Sequence, residues 1–355
     1  MAENRFYLSS SPHFTFGLST QKIMMAVLIA LLPECIAGVL FFGIKALVTI
    51  LVSVASCVLF EFLFQKLTKQ PIMVSNLSAC VSGVMLALVC PPTIPVWMIV
   101  IGAAVAVVVA KGLFGGIGSN VFNPALTGRA VLFISFPLAM GAEWMLPKKM
   151  TEALSAAGKL DAVSSATPLS QIAGGTFTAE AGTYLEYFLG YKGGCIGETS
   201  VLLIFISFLF LLTIQVIDWR APVAMVSTVV AASFLAALPS GINEACRSAV
   251  LSVLTGGLAF GAVFMVTDYA TTPVTKPGRL LFGFGCGLIT FLIRKFGGYP
   301  EGVMFSILIM NPIVPFLNNF TVRMYGYGKK AKKRSYEKKI TQNFDLSTAK
   351  KREGI

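Results

Sequence analysis

The chain has 355 residues, of which 55% are hydrophobic and only 12% are charged, and its formal net charge is +12. Ordinary soluble domains have roughly a quarter of their residues charged. This composition therefore excludes a soluble globular protein and predicts an all-α polytopic membrane protein.

The first 21 residues are polar and mixed, and no small-residue cleavage site follows an isolated short apolar core. We therefore expect residues 1–21 to be a segment that precedes the first span, not a cleaved signal peptide. Beyond it, apolar stretches close to the ~20 residues that cross a bilayer recur along the chain. Ten of them are predicted spans: 22–43, 46–65, 75–90, 94–111, 122–140, 199–217, 221–238, 245–266, 279–296 and 302–325.

Positive charge is concentrated in the last residues of the chain, 326–355. A basic segment after a final span is typical of the cytoplasmic side, where it touches anionic lipid, and the membrane context argues against nucleic-acid binding. Ten spans return the chain to its starting side, so we expect both termini in the cytoplasm and loop 141–198 outside. Short-loop charges fit modestly, with Lys66, Lys69, Lys111, Arg220, Lys276 and Arg279 predicted inside and Lys45, Arg247, Arg294 and Lys295 predicted outside.

A weak internal repeat of two short motifs divides the membrane region into halves 22–140 and 199–325. Phe-Gly-Gly at 114–116 is followed by Asn123-Pro124, and Phe-Gly-Gly at 296–298 is followed by Asn311-Pro312. Five spans per half would insert the two halves with opposite orientation, as in inverted-repeat transporters. Chance recurrence in a glycine-rich membrane protein is the alternative. Proline-rich, helix-breaking segments at 90–95 and 267–277 are where such a fold would place a binding site.

Cysteine and histidine usage limits the possible redox groups. None of the seven cysteines forms a C-x-x-C pair, so we do not expect an Fe–S cluster within this chain alone. The single histidine, His13, precedes the first span, which excludes a haem held between two intramembrane histidines. The chain also has no G-x-G-x-x-G fingerprint after a strand, so it is not expected to act on NAD by itself.

Ionisable residues within spans are costly and therefore ask for a partner or a function. Glu34 falls near the middle of the first span and is a candidate carboxylate in an ion path, the alternative being a polar contact between helices. Arg129 in the fifth span could pair with an acidic group or a flavin carbonyl, or could extend its side chain to the membrane surface. Asp268 and Glu61 end predicted spans on the inner side, where ordinary interfacial charge is the simpler interpretation, and Asp268 remains a second ion-path candidate.

Two amides offer a possible contact for a heteroaromatic ring. Asn120 and Asn123 are three residues apart and share a face if a helix has already begun there. Amide groups can match the alternating donors and acceptors of such a ring. Asn before Pro is also a common cap or kink, so the pattern alone is weak.

Residues 161–167 read Asp-Ala-Val-Ser-Ser-Ala-Thr in the long polar loop. Small neighbours on its N-terminal side would let a modifying enzyme reach the hydroxyl of Thr167. By composition alone, however, this is a Ser/Ala-rich loop. The heptad, in which Asp161, Ser164, Ala166 and Thr167 are the motif positions, resembles the site at which flavin transferases attach FMN to threonine through its phosphate.

Two further stretches strengthen this resemblance: residues 119–130, Ser-Asn-Val-Phe-Asn-Pro-Ala-Leu-Thr-Gly-Arg-Ala, and residues 264–268, Phe-Met-Val-Thr-Asp. Together with the heptad, they resemble the D-type subunit of the Rnf ion-translocating ferredoxin:NAD oxidoreductase complex, a relative of the B-type subunit of the sodium-translocating NADH:quinone reductase. The resemblance covers residues from about 5 to 325. One position departs from the family pattern, since Ser165 stands where glycine is usual.

The resemblance implies a ten-helix subunit of two inverted five-helix halves, similar to urea and ammonium transporters. It implies FMN on Thr167 and a second, noncovalent riboflavin that contacts Asn120 and Asn123, with Arg129 as a further candidate. Electrons would cross a prokaryotic inner membrane through flavins and Fe–S centres of several subunits, coupled to Na⁺ or H⁺ movement. The implied partners are the other Rnf subunits and a flavin transferase.

Two other functions remain open from the sequence. A passive urea- or ammonium-type channel could be built on the same repeat, since fold does not settle function. A purely structural anchor for redox partners is the third possibility. Neither requires a transferase heptad, and both predict a protein without bound flavin.

Overall fold

A computed structural model describes residues 19–141, 144–145, 147, 168–173, 182–297 and 301–324 of the chain. Its first half contains six helices: α1 (Thr20–Phe42), α2 (Ile44–Leu67), α3 (Ser78–Leu88), α4 (Val96–Ala104, continuing as a π-helix over Val105–Gly112), α5 (Pro124–Ser135) and α6 (Pro137–Gly141). Gly43 separates α1 from α2 with a φ of 80°, which glycine adopts without strain.

The second half begins after the long loop. Its helices are α7 (Pro168–Ala173), α8 (Thr183–Leu189), α9 (Val201–Thr213), α10 (Arg220–Ala237), α11 (Ile242–Leu254), α12 (Leu258–Phe260, continuing as a π-helix over Gly261–Met265), α13 (Lys276–Phe296), α14 (Val303–Met310) and α15 (Val314–Met324).

The prediction of a polytopic, all-helical membrane protein is confirmed for the described residues. Four helices are long and apolar enough to cross a membrane: Thr20–Phe42, Ile44–Leu67, Arg220–Ser240 and Val303–Thr321. Four other apolar helices among the described residues are shorter, at 10–17 residues, so ten full spans and the inverted repeat stay predictions.

Three predicted spans are interrupted in the structure. In 302–325, the 3₁₀ turn Asn311–Ile313 separates α14 from α15. The stretch 245–266 is broken between α11 and α12, which meet at an angle of 61°. The stretch 122–140 is divided at Phe136, because Pro137 follows it and disfavours helical backbone at the preceding residue.

The outer surface of α1 is apolar. Met25, Ile29, Leu32, Ile36 and Leu40 recur at helical spacing, and all five side chains are exposed. A stripe of this kind on a helix long enough to span a bilayer is the expected lipid-facing side.

Inside the protein, glycines let helices approach closely. A Cβ on Gly83 of α3 would lie 2.7 Å from the Val54 Cα of α2, and the Ser53 hydroxyl donates to the Gly83 carbonyl at 2.7 Å. Gly287 of α13 plays the same part, since its Cβ would lie 2.6 Å from the Met225 carbonyl of α10. Without a hydrophobic driving force in lipid, such close packing and hydrogen bonding hold helices together.

Two non-helical segments meet in the interior, one after α3 and one before α9. The amide of Ile196 donates to the Cys90 carbonyl at 3.1 Å, and the amide of Gly197 donates to the Leu88 carbonyl at 2.8 Å. Both segments are buried. Non-helical backbone at this depth is satisfied by protein, as a membrane interior requires, and it positions the charged residues described below.

Candidate functional site

A cavity of about 490 Å³ lies between the two halves. We call it the amide cavity. Its polar lining comes mainly from Ser78, Lys111, Asn120, Asn123, Thr267 and Asp268, and its apolar lining includes Met24, Met85 and Phe264. The structure thus brings the predicted Asn120, Asn123 and Asp268 to one place.

Asn123 is the N-cap of α5, and its side-chain oxygen accepts from the Leu126 amide at 3.3 Å. Pro124 occupies the first helical position, where its missing N–H costs nothing. The helix therefore begins after both asparagines, so Asn120 and Asn123 share a cavity wall and not a helix face. The Asn120 amide nitrogen donates to the Phe122 carbonyl at 3.1 Å.

The two Asn-Pro motifs of the internal repeat are in contact. When the Asn311 side-chain amide is oriented to satisfy its neighbours, its oxygen accepts a hydrogen bond from the backbone N–H of Asn123 at 3.1 Å. Its nitrogen donates to the Ile307 carbonyl at 3.1 Å. Corresponding positions of the two predicted halves therefore meet at the wall of the amide cavity.

Lys111 and Glu61 form a buried ion pair beside this cavity. The Lys111 Nζ lies 2.7 Å from Glu61 Oε1 and 2.6 Å from the Ser78 hydroxyl, and both charged side chains are only 5% exposed. The expectation that these two residues are ordinary interfacial or loop charges was wrong. Sequence position places them at span ends, but the packing of α2 against α3 and α4 encloses them.

Asp268 contributes a carboxylate to the cavity lining from the loop between α12 and α13. Its Oδ2 accepts from the Thr271 hydroxyl at 3.0 Å. Burial raises the pKa of Asp268, although hydrogen bonds from Thr271 and from backbone amides act to lower it.

A second assembly, which we call the charge cluster, consists of Arg129, Lys192, Cys195, Glu198, Arg294 and Glu301. The Arg129 guanidinium lies 2.6 Å from Glu301 Oε2, 3.6 Å from Glu198 Oε1 and 3.4 Å from the Cys195 Sγ. The structure shows Arg129 paired with acidic groups, which is one of the alternatives open for it. Lone charges at this depth would be costly, and mutual pairing offsets that cost.

The break between α11 and α12 organises the charge cluster. At the end of α11, Lys192 donates to the Leu254 carbonyl at 2.5 Å and Arg294 donates to the Ser252 carbonyl at 2.8 Å. At the start of α12, the Gly257 amide donates to Glu301 Oε1 at 3.0 Å. Cations thus lie at a helix C-terminus and an anion at a helix N-terminus, as the helix dipole favours.

Gly257 is required by this arrangement. A Cβ there would lie 2.8 Å from Glu301 Oε1 and would overlap the Glu198 carboxylate. Cys195, Glu198 and Glu301 place three possible metal-ligand atoms within 4.8 Å of one another. Because Arg129 contacts both carboxylates and Lys192 and Arg294 belong to the same cluster, the described geometry is an ion-pair network.

Glu34 is fully buried, and both of its carboxylate oxygens are without a hydrogen-bond partner among the described residues. Its neighbouring charge is Lys192 of the charge cluster. The structure therefore places Glu34 beside the charge cluster, while Asp268 lies at the amide cavity. The two ion-path candidates belong to different sites.

Two further cavities flank these sites. One of about 540 Å³ adjoins the amide cavity, sharing Tyr269 and Thr272 with it, and its rim carries Asp218 bonded to both Arg220 and Arg279. Another of about 460 Å³ is lined by Leu169 and Ile172 of α7 together with basic residues of α11 and α13, namely Arg247, Arg294 and Lys295.

The predicted attachment motif, Asp161, Ser164, Ala166 and Thr167, lies outside the described residues, and so do most of loop 141–198 and the basic tail. Sequence reasoning missed Lys192, Glu198 and Glu301, since they fall in or beside predicted loops. Two of these acids could have been noticed in the sequence. Glu198 directly precedes the predicted span 199–217, and Glu301 directly precedes the predicted span 302–325.

The chain is similar to known proteins along most of its length. The model of the NQR2, RnfD, RnfE family matches residues 7–326. The D-type subunit of the proton-translocating ferredoxin:NAD(+) oxidoreductase complex of Clostridium ljungdahlii is 40% identical over 326 residues, covering 90% of this chain and 95% of that protein. The corresponding subunit of the Na(+)-translocating ferredoxin:NAD(+) oxidoreductase complex of Acetobacterium woodii is 39% identical over 332 residues, covering 93% and 98%.

A third relative, the D-type subunit of the ion-translocating oxidoreductase complex of Stutzerimonas stutzeri, is 39% identical over 341 residues, covering 88% of this chain and 94% of its own. The family match spans nearly all of the membrane region that holds the amide cavity and the charge cluster. The chain belongs to the NQR2, RnfD, RnfE family.

Proposed function

We propose that this chain is the D-type membrane subunit of an ion-translocating ferredoxin:NAD oxidoreductase complex. In this proposal it passes electrons across the membrane through FMN on Thr167 and a noncovalent riboflavin, coupled to Na⁺ or H⁺ translocation. Its partners are the other membrane and peripheral subunits of that complex. The proposal includes ten spans in two inverted halves, cytoplasmic termini and an outer loop 141–198.

The observation that carries the proposal is the amide cavity, because it combines a suitable volume with suitable chemistry. Ligand cavities typically measure about 300–1,000 Å³, and the 490 Å³ here falls within that range. Met24, Met85 and Phe264 offer apolar contact for a flat ring system. Asn120, Asn123 and the hydroxyls offer donors and acceptors for its polar edge.

Riboflavin fits this set of residues. The Asn120 Oδ1 is not engaged by another described residue and can accept a hydrogen bond from a ring N–H. Bound there, riboflavin would supply electron transfer in one-electron steps. The residues of the chain would bind it, orient it and exclude water from it.

The placement of α7 supports the proposed attachment at Thr167. This helix begins at Pro168, directly after Thr167, and its Leu169 and Ile172 line the cavity of about 460 Å³ that carries Arg247, Arg294 and Lys295. Basic residues are the expected surroundings of a phosphate-linked group. Leu169 also lies against Gly256 at the break beside the charge cluster.

Ion coupling is assigned in this proposal to the charges between the two cofactor positions. Arg129 follows Asn123 by six residues on α5, which is about 9 Å of helix. A change of charge in the amide cavity would therefore act on the charge cluster and on Glu34 through a short, low-dielectric distance. Asp268 is the second candidate for the ion path, on the side of the cavity.

The test uses the assembled complex. Flavin fluorescence of the denatured subunit in a gel is expected to disappear in Thr167→Ala and to persist in Thr176→Ala, a matched hydroxyl loss in the same loop. Riboflavin released by acid is expected to fall at least tenfold in Asn123→Ala, which removes a cap and a cavity amide.

Ser200→Ala is the control for the cap, because Ser200 caps α9 in the same way but does not line the amide cavity. A Thr167→Ala variant that remained fluorescent would remove the attachment site. An isolated wild-type subunit without flavin absorbance would favour the passive channel or the structural anchor.

A further inference from the structure

We propose that Lys111 is an electrostatic tuning residue: its ammonium group, held by Glu61 and Ser78, raises the reduction potential of the flavin-class ligand of the amide cavity. This inference rests on the proposed function, since it requires a redox ligand in that cavity. It gives a function to the buried Lys111–Glu61 ion pair, which ligand binding in the amide cavity does not by itself explain.

Lys111 is fixed in position. It lies in the π-helical segment Val105–Gly112 at the end of α4, a rare helix form that is frequent at functional sites. Its Nζ contacts Glu61 Oε1 at 2.7 Å and the Ser78 hydroxyl at 2.6 Å, and the residue is only 4% exposed. An ammonium group has three donors, so these two contacts leave one for the cavity.

The ion pair points its positive end at the cavity. Lys111 and Ser78 line the cavity, whereas Glu61 lies behind them and is not part of the lining. Glu61 Oε2 is buried without a hydrogen-bond partner among the described residues, so the pair is not built to maximise its own hydrogen bonding. The cavity therefore faces the positive end of the pair.

Helix ends add to the same sign of charge. Residues Ser78, Val81 and Ser82 from the first turns of α3 line the cavity, and so do Pro124 and Ala125 at the start of α5. The N-terminus of a helix carries about half a positive charge. Two helix N-termini and Lys111 thus converge on one space.

The opposing charge comes from Asp268. The titratable groups of the cavity lining are Lys111, Asp268 and Tyr269, and among the described residues no other Lys, Arg, Asp or Glu belongs to that lining. A ligand that gains an electron becomes more negative, and a fixed nearby cation favours that state in a low-dielectric surrounding. Lys111 is the one described side chain of the lining with this effect.

The alternative is a purely structural role, in which Lys111 only neutralises the charge of Glu61. A buried pair of that kind can be replaced by uncharged residues with little loss, whereas removal of one partner leaves an unpaired charge. The double variant Glu61→Gln with Lys111→Met removes both charges together. Lys111→Arg keeps the positive charge and serves as the conservative control.

The experiment measures two quantities on the purified complex in a Thr167→Ala background, which removes the covalent flavin of this chain. Redox groups of the other subunits are common to parent and variant, so the difference between the two titrations reports the ligand of the amide cavity. Riboflavin content is measured after acid release, and the potential of the bound flavin is measured by spectroelectrochemical titration. In the double variant we expect riboflavin content within twofold of the parent. We also expect at least a tenfold weaker preference for the reduced ligand, which is about 59 mV for a one-electron couple.

Lys111→Arg is expected to keep the parent potential. If the double variant does not assemble, Lys111→Gln replaces it, because glutamine still donates to Glu61 but carries no charge. Retained riboflavin with an unchanged potential overturns the inference, and so does loss of riboflavin from an assembled variant. Absence of riboflavin from the parent instead overturns the proposed function.

Discussion

The amide cavity and the charge cluster both lie where helices end or break, but one is an open space and the other is a set of packed, paired charges. The cavity is open, about 490 Å³, and its lining is mostly amide, hydroxyl and apolar groups. The cluster has its charges paired with one another and with helix ends. An open space walled mostly by amide, hydroxyl and apolar groups suits a flat ligand. Closely paired buried charges respond strongly when one charge is added or lost nearby.

The two sites are mechanically connected. Asn123 at the cavity caps α5, which carries Arg129 of the cluster. Gly257 beside the cluster caps α12, whose π-helical continuation carries Phe264 at the cavity. A packed helix transmits displacement because protein interiors are dense. The comparison therefore predicts different responses to substitution at the two ends of the same helices.

The largest effect is expected in the cluster, from Arg129→Met. This change leaves Glu198 and Glu301 as buried carboxylates without their guanidinium partner. Breaking a buried pair in this way costs about 3–5 kcal/mol. The measurement is thermal stability and yield of the assembled complex.

Arg247→Met is its control, because the Arg247–Glu244 pair is a partly exposed contact of 3.5 Å one turn apart on α11. Exposed pairs contribute about 0–1 kcal/mol. Equal stability of the two variants would contradict the description of the cluster as mutually dependent charges.

Glu34→Gln is expected to reduce ion transport without lowering the stability of the complex. Glutamine keeps the shape of the side chain and removes a fully buried carboxylate that has no hydrogen-bond partner among the described residues. Stability should stay equal or rise, because burying an amide costs less than burying a charge. Ion transport per electron is expected to fall at least tenfold in complex reconstituted into vesicles.

Glu244→Gln provides the comparison, as Glu244 is a more exposed carboxylate on α11. Unchanged ion transport in Glu34→Gln would remove this residue from the ion path. The structural assignment of Glu34 to the surroundings of Lys192 would remain.

The smallest effect is expected beside the amide cavity, from Asp218→Asn. Burial acts to raise the pKa of Asp218, but hydrogen bonds from the Arg220 amide and from the Arg279 and Arg220 guanidinium groups outweigh it and lower the pKa. The ionised form is therefore stabilised by folding. Its contribution is present above the ordinary carboxyl value of 3.8 and is lost as the pH falls through the lowered value.

At neutral pH we expect Asp218→Asn to lower the free energy of unfolding by about 1.5–3 kcal/mol, as for hydrogen bonds to charged groups. The difference from the parent should shrink as the pH is lowered below the ordinary carboxyl range. Thermal unfolding at several pH values measures it. A difference that grew toward acid pH would contradict the assigned sign.

Some of the site followed directly from the sequence. The Asn-x-x-Asn-Pro stretch predicted a cap or a ring contact, and the structure shows Asn123 as a cap on the wall of a cavity. Glu34 was predicted as a buried carboxylate, and it is fully buried. These residues were readable because a polar side chain inside an apolar stretch stands out against its neighbours.

Other residues could not be placed without the fold. Lys111 and Glu61 are 50 positions apart, and Arg129 and Glu301 are 172 positions apart. A single sequence carries no record of such distant pairing, so charges at span edges looked like interfacial ones. The break between α11 and α12 was equally hidden, because the glycines at 256 and 257 continue an apolar stretch.

By itself, the sequence determined that this protein resides in a membrane, that it is helical and that it belongs with Rnf-type subunits, because hydropathy and short motifs are local properties. Only the tertiary structure decided which charges are buried, which of them pair and which line a cavity. The physical reason is that desolvation and pairing depend on what surrounds a side chain in space. Glu61 and Glu198 are both acids near the edge of a span, yet one lies behind a cavity and the other is held in an ion-pair network.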